Sequence, residues 1–159
     1  VDFNLAFTPE RTVEGNAIHE LSSLPQIIGG LTKRCAEHAS KFWSTLTQST
    51  VFVESLEAAE MVKLLNNSYR DLSFSFSNAF SLLADKYNLD ANKVINAANE
   101  GYPRNPIPRP SPGVGGYCLT KDPFLYSSDM NLSLHSKLSK LGRTINEEAA
   151  NCLTFAFEA

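Results

Sequence analysis

Between Ser55 and Lys86 the chain contains neither glycine nor proline. Over that stretch Leu56, Ala59, Val62 or Met61, Leu65, Tyr69, Leu72, Phe76, Phe80 and Leu83 return at helical spacing. The pattern predicts one helix that starts at Glu54 or Ser55 and reaches Lys86 or Tyr87. At about 1.5 Å per residue it spans roughly 45–50 Å. Helices of that length commonly serve as a spine or a subunit interface.

The rest of the chain is read around this helix. Before it, residues 1–7 alternate apolar and polar side chains and predict a strand. Pro25-Gln-Ile-Ile-Gly-Gly30 predicts a second strand, and Thr50-Val-Phe-Val53 a third. Thr32 caps an intervening helix that runs to about Leu46, with Cys35, Ala39, Phe42, Trp43 and Leu46 toward one side. Strands joined by helices suggest parallel βαβ pieces. After residue 54 only helices are expected. Asp90 caps one that Gly101 ends, and others follow over 121–129 and from about 132 to 157. Residues 102–116 hold five prolines and three glycines, which forbid regular structure. A loop of that length in a compact domain is usually functional. The fold class is therefore mainly α: a long-helix domain over 55–159, preceded over 1–54 by a small parallel α/β remnant.

Composition narrows the functional classes. Of 159 residues, 43% are hydrophobic and 19% charged, which describes a globular protein and not a disordered tail. The formal net charge of −3 argues against a nucleic-acid surface. No apolar run approaches the ~20 residues that cross a bilayer, so no membrane partner is expected. The first residue is Val1 and no basic segment precedes an apolar run, so no signal peptide is read. Three scattered cysteines, Cys35, Cys118 and Cys152, make no disulfide framework and stand at no zinc-ligand spacing. They fit a reducing cytosol and a cytoplasmic protein without a metal. His19, His38 and His135 form no metal pattern, and Cys35 and Cys152 fall on apolar faces.

Three clusters have chemical potential. The first is Gly113-Val-Gly-Gly-Tyr-Cys-Leu-Thr-Lys-Asp122, where glycines let backbone approach a ligand. Cys118 is expected just ahead of the helix over 121–129. There the helix dipole and Lys121 would favour the thiolate that a sulfur nucleophile needs. The competing reading is a small buried hydrophobe beside a tight turn. The second cluster is Glu60, Lys63, Asn67 and Arg70 on the long helix. Lys63 and Asn67 are four apart, so an ammonium and an amide share a face and could donate to a developing oxyanion. A solvated polar stripe would look the same. The third is Thr8-Pro-Glu-Arg-Thr-Val-Glu-Gly15 at the carboxyl end of the first strand, where open α/β sheets place ligands. Glu10 and Glu14 suit a binding group and a general base. They also suit a helix start enriched in acids.

Together, Thr8-Pro-Glu-Arg-Thr-Val-Glu-Gly15, Glu57-Ala-Ala-Glu-Met-Val-Lys-Leu-Leu-Asn-Asn-Ser-Tyr-Arg-Asp71 and Pro112-Gly-Val-Gly-Gly-Tyr-Cys-Leu-Thr-Lys-Asp122 closely resemble the UDP-glucose/GDP-mannose dehydrogenase family. The likeness runs from about Phe3 to Glu147. It implies an NAD-dependent oxidation of a nucleotide sugar at C6, from alcohol to carboxylate, through a cysteine thiohemiacetal and thioester. By resemblance Cys118 is the nucleophile, and Lys63 and Asn67 orient substrate and stabilise the oxyanion. Glu14 works with a water as base, and Asp122 helps position that water. Glu10, Lys121 and the backbone at Gly113, Gly115 and Gly116 lie near the sugar. Arg104 resembles an arginine that reaches substrate from a partner subunit. The resemblance also implies a homodimer through the long helix. The loop over 101–118 is then expected to be exposed or ordered by a partner.

Ser111 and Thr120 depart from common family residues and touch loop shape more than chemistry. The chain has no Gly-x-Gly-x-x-Gly fingerprint. It is therefore expected to be a middle piece, the end of an NAD domain plus a dimer core, inactive in isolation. A UDP-sugar is favoured over GDP-mannose. Leu24-Pro-Gln-Ile-Ile-Gly-Gly30 leans, by resemblance, toward an N-acetylhexosamine branch that serves surface polysaccharides. A non-enzymatic helical dimerisation module with an incidental cysteine is the alternative. A different cysteine enzyme would need a histidine that none of the motifs contains.

Overall fold

The computed structural model describes residues 3–128 and 133–158. Val1 and Asp2 of the expected first strand, and Asp129 and Leu132 at the expected ends of two helices, lie outside them, as does the side chain of His135. The chain divides into two compact units, Val1–Leu65 and Asn66–Ala159.

The first unit is built on a three-stranded sheet in the order β1 (Ala6–Phe7), β2 (Gln26–Gly30), β3 (Thr50–Val53). β2 and β3 are parallel, with Gln26 opposite Thr50 and Gly29 opposite Val53. The crossover between them is α2 (Lys33–Trp43), whose Cys35 and Ala36 are buried. Thr32 caps this helix by accepting from the Cys35 N–H, as its sequence position predicted. The helix stops at Trp43, short of Leu46, and Phe42 and Leu46 are exposed.

The sheet is not parallel throughout. β1 runs antiparallel to β2, with Ala6 opposite Gly30 and Phe7 opposite Gly29. The helix that follows it, α1 (Ala17–Ser23), has only seven residues and buries none of them. It supplies no apolar face to pack as a crossover, so the chain turns back along the sheet edge instead.

The long helix α3 (Leu56–Lys86) has 31 residues. The Ser55 hydroxyl accepts from the Ala58 N–H and opens it. Its first turns lie against β2. A Cβ added at Gly29 would collide with the Ser55 carbonyl oxygen and stand 2.8 Å from the Ala59 Cβ. Because backbone cannot swing aside, Gly29→Ala is expected to cost about 1–3 kcal/mol. Urea denaturation followed by Trp43, the single tryptophan, checks this. An unchanged midpoint would refute the close contact.

In the second unit α3 ends at Lys86, and Asn88, a left-handed residue with φ 54°, turns the chain after it. Asp90 caps α4 (Ala91–Asn99) by accepting from the Lys93 N–H, and Gly101 at φ 63° follows it. Residues 102–115 have no helix or strand and most are exposed. Then come a one-turn helix α5 (Gly116–Leu119), α6 (Asp122–Ser128) and α7 (Ser133–Glu158). The helix expected over 121–129 is α6.

The buried face of α3 in this unit is polar. Ser68, Asp71, Ser75 and Asn78, at helical spacing, are buried, whereas Tyr69, Phe76 and Leu83 of the expected apolar stripe are exposed. α7 explains the inversion. A Cβ at its Gly142 would stand 2.7 Å from the Leu72 Cδ2, so the helices approach closely there. Arg143 and Asn146 of α7 meet the polar side chains of α3. Arg143 Nη1 donates to Asp71 Oδ1 at 2.7 Å, and Asn146 Nδ2 donates to the same oxygen at 2.9 Å. These pairings offset much of the cost of burying polar groups, although Ser68 Oγ, Asp71 Oδ2 and Arg143 Nε are buried with no hydrogen-bond partner.

Candidate functional site

Two clusters of polar side chains carry the expected residues, one in each unit. In the first unit the segment after β1 is pinned from below. Buried Gln26 donates to the Pro9 carbonyl at 3.0 Å, and Arg11 donates to the Pro25 carbonyl at 2.5 Å. Held there, the Glu10 carboxylate accepts from the Thr12 N–H, from the Thr12 hydroxyl at 2.5 Å, and from Lys63 Nζ at 3.2 Å. The Thr12 hydroxyl, with further help from Lys63, holds the Glu10 carboxyl below its ordinary pKa. Glu10 thus orients the Lys63 side chain. Glu14 is exposed and precedes Gly15, whose φ of 85° suits glycine. Because β1 is antiparallel, its carboxyl end lies beside the start of β2. The rule that places ligands at the carboxyl ends of parallel strands therefore does not apply to this segment.

In the second unit Asp122 is the centre. It is 1% exposed, and both carboxylate oxygens are engaged. Asn67 Nδ2 donates to Oδ2 at 2.6 Å, and Lys121 Nζ lies 2.5 Å from Oδ1. The bond from Asp122 pushes the Lys121 pKa up, with smaller electrostatic contributions that include Cys118 and Tyr117. The ammonium also lies 5.3 Å from the centre of the Tyr117 ring. Asp122 therefore fixes the Asn67 amide and holds Lys121 beside the residue pair Tyr117–Cys118.

Cys118 is exposed, which removes the buried-hydrophobe reading. As expected it stands just ahead of a helix, the seven-residue α6, and it lies within the one-turn α5. So short a helix gives the dipole argument little weight. Gly116 has φ 76° and needs to be glycine, while nothing lies within 4 Å of a Cβ placed at Gly113 or Gly116. Arg104 is exposed and stacks on Tyr102, 5.1 Å from its ring centre. Cys35 is buried with its sulfur bonded by the Thr32 hydroxyl, whereas Cys152 is exposed. His19 and His38 are exposed or nearly so. Among the described residues no group of three His, Cys, Asp or Glu side chains is placed to hold a metal, and no helix is long and apolar enough to cross a membrane.

Residues 57–148 match the model of the UDP-glucose/GDP-mannose dehydrogenase family, central domain. The chain belongs to that family. Relatives of this dehydrogenase family include a UDP-N-acetyl-D-mannosamine dehydrogenase of Campylobacter jejuni, 37% identical over 94% of this chain and 36% of the relative. Another of the same name, from Pyrococcus horikoshii, is 39% identical over 92% of this chain and 34% of the relative. The chain thus spans about a third of the length of these curated relatives. Among solved structures, the Pyrococcus horikoshii UDP-D-ManNAc dehydrogenase matches at a TM-score of 0.90 and 36% identity, over 99% of this chain and 37% of that one. The long helix preceded by a small sheet is an architecture shared with that dehydrogenase.

Asp71, Asn78, Ser111, Arg143 and Asn146 were not foreseen as a group. The available signal was the run Ser68, Asp71, Ser75, Asn78 at helical spacing, matched by Arg143 and Asn146 three apart on a second helix.

Proposed function

We propose that these residues form the central part of an NAD-dependent nucleotide-sugar 6-dehydrogenase that converts the C6 alcohol to a carboxylate. The observation that carries this is the family match over 57–148, a stretch that contains Lys63, Asn67, Cys118 and Asp122. The names of the relatives favour a UDP-linked N-acetylhexosamine as substrate.

NAD is implied by the family resemblance as the hydride acceptor. In the turn after β2, Gly29 is packed against Ser55 and Ala59, and Gly30 against Ala36, so neither glycine offers the open backbone approach of a pyrophosphate-binding turn. Its binding is assigned to residues outside this sequence, and the isolated chain is expected to be inactive.

The roles of this chain's residues follow from their chemistry. The Cys118 thiolate adds to the C6 aldehyde carbon, and the carbonyl electron pair moves to oxygen. Lys63 and Asn67 donate to that oxyanion, the first oriented by Glu10 and the second by Asp122. Once C6 is at the thioester level, Glu14 takes a proton from water. The resulting hydroxide attacks C6, and the C–S bond breaks to return the thiolate. Lys121 and the backbone at Gly113, Gly115 and Gly116 line the sugar's approach, and Arg104 serves a partner's substrate. The exposed Tyr69, Phe76 and Leu83, seven residues apart on α3, support a dimer through that helix. Free cysteines suit a cytoplasmic enzyme.

The test is turnover by the full-length enzyme that carries this segment. With UDP-N-acetyl-D-mannosamine and NAD, two NADH should form per sugar, with a uronate as product. Absence of NADH with every UDP- and GDP-hexose would overturn the reading.

A further inference from the structure

The segment over 102–115 has no secondary structure, so its backbone groups must find partners elsewhere. Side chains supply them at three points. At Ile107 the N–H donates to Asn99 Oδ1 at 2.9 Å, and the carbonyl accepts from Asn99 Nδ2 at 2.8 Å. At Ser111 the N–H donates to Asn78 Oδ1 at 2.8 Å, and the carbonyl accepts from Asn78 Nδ2 at 3.0 Å. At Val114 the carbonyl accepts from Arg143 Nη1 at 3.2 Å. Each asparagine therefore grips both polar groups of one residue, as a neighbouring strand would. A flipped amide would set oxygen against oxygen and N–H against N–H, so the orientation is dictated.

The grips are themselves anchored. Asn78 is 1% exposed, and its Nδ2 also donates to Asn146 Oδ1 at 2.9 Å. Asn146 and Arg143 both bond to buried Asp71. Beyond Ser111 the space around Gly113 and Gly116 is open, with nothing within 4 Å of a Cβ at either, and the Gly116 carbonyl accepts from the Thr120 hydroxyl at 2.9 Å.

We propose that Asn78, with Arg143 and Asn99, is a positioning residue of the dehydrogenase. It holds Ser111, and Arg143 holds Val114, on either side of Pro112–Gly113. The pair sets where the backbone of Gly113, Gly115 and Gly116, and then Cys118, meets the sugar. The role rests on the function proposed above. None of the three side chains is asked to touch substrate.

The experiment uses the full-length enzyme with Asn78→Ala and, because Asn78 is buried, also Asn99→Ala. Amide hydrogen exchange should quicken at Ser111 in the first and at Ile107 in the second, while amides inside α3 stay protected. With UDP-N-acetyl-D-mannosamine and NAD, kcat of Asn78→Ala should fall roughly 10- to 100-fold, with KM changed much less. With substrate deuterated at C6 the isotope effect on kcat should rise, because misplacement slows hydride transfer. A merely less folded enzyme would lose kcat with its isotope effect unchanged, and that result overturns the proposal. So does unaltered exchange at Ser111 and Ile107, or quickened exchange with wild-type kinetics. If the wild-type enzyme oxidises no nucleotide sugar, the functional reading fails first and takes the positioning role with it, a result visible without any variant.

Discussion

Cys118→Ser in the full-length enzyme is expected to stop carboxylate formation, with a loss on the order of 10⁴-fold or more in steady-state turnover. Cys118 stands in the one-turn α5 and is exposed, so a serine of nearly the same shape disturbs no packing. The loss would then be chemical. A serine hydroxyl stays protonated near neutrality, and the motif over 112–122 contains no histidine to take its proton. Lys121, held as an ammonium by Asp122, cannot take it either. In the mechanism proposed above, the first oxidation, from alcohol to aldehyde, does not use the sulfur. The variant should therefore form at most about one NADH equivalent per bound sugar, or accumulate a sugar ester on the introduced hydroxyl, visible as added mass on the intact protein. A fully active variant would sink the covalent mechanism, leaving the family assignment untouched.

Much of the architecture could be read directly. The absence of glycine and proline over 55–86 specified the long helix, and its ends came within a residue of those expected. The caps at Thr32 and Asp90 and the stop at Gly101 followed from single residue types whose local hydrogen bonds do not depend on the rest of the fold. What failed was everything that depends on a distant partner. The apolar stripe of α3 was legible, but not that Ser68, Asp71, Ser75 and Asn78 are buried within the chain while Tyr69, Phe76 and Leu83 are exposed. Asp71 and Asn78 find hydrogen-bond partners there in Arg143 and Asn146, some 70 residues later. Periodicity sees the face of a helix but not what covers it. The direction of β1 failed for a related reason. Two paired residues carry too little pattern to distinguish an antiparallel edge from a parallel one, and the shortness of α1 decided it. Among the site residues, spacing placed Lys63 and Asn67 on α3. It could not show that Glu10 orients one of them and Asp122 the other, because those partners are 53 and 55 residues away.

Arg143→Met is expected to destabilise the folded chain by about 3–5 kcal/mol near neutral pH. Asp71 is 0% exposed and its partner 4%, so the pair is cut off from solvent and screening. Methionine roughly keeps the volume of the arginine stem, so the loss is electrostatic. It leaves a buried carboxylate whose remaining donor is Asn146. Burial already pushes the Asp71 pKa up, and Arg143 is the main influence opposing it. Without Arg143 it should rise further. A carboxyl whose folded pKa is raised binds a proton in the folded chain that the unfolded chain has lost. Stability therefore falls as pH rises from the unfolded value through the folded one. The penalty of Arg143→Met should accordingly be largest near neutrality and shrink as the medium is acidified, because protonated Asp71 needs no counter-charge. Urea denaturation of both proteins across that range measures it. A second variant separates charge from packing. Asp71→Asn combined with Arg143→Met keeps an oxygen for Asn146 to bond and removes the stranded charge, so it should recover most of the loss. If Arg143→Met costs less than about 1 kcal/mol, or the same amount at every pH, the buried pair does not hold α3 to α7. If the loss shrinks with acid and the double variant recovers it, the polar face of α3 is an electrostatic joint whose geometry, through Val114, also reaches the loop that carries Cys118.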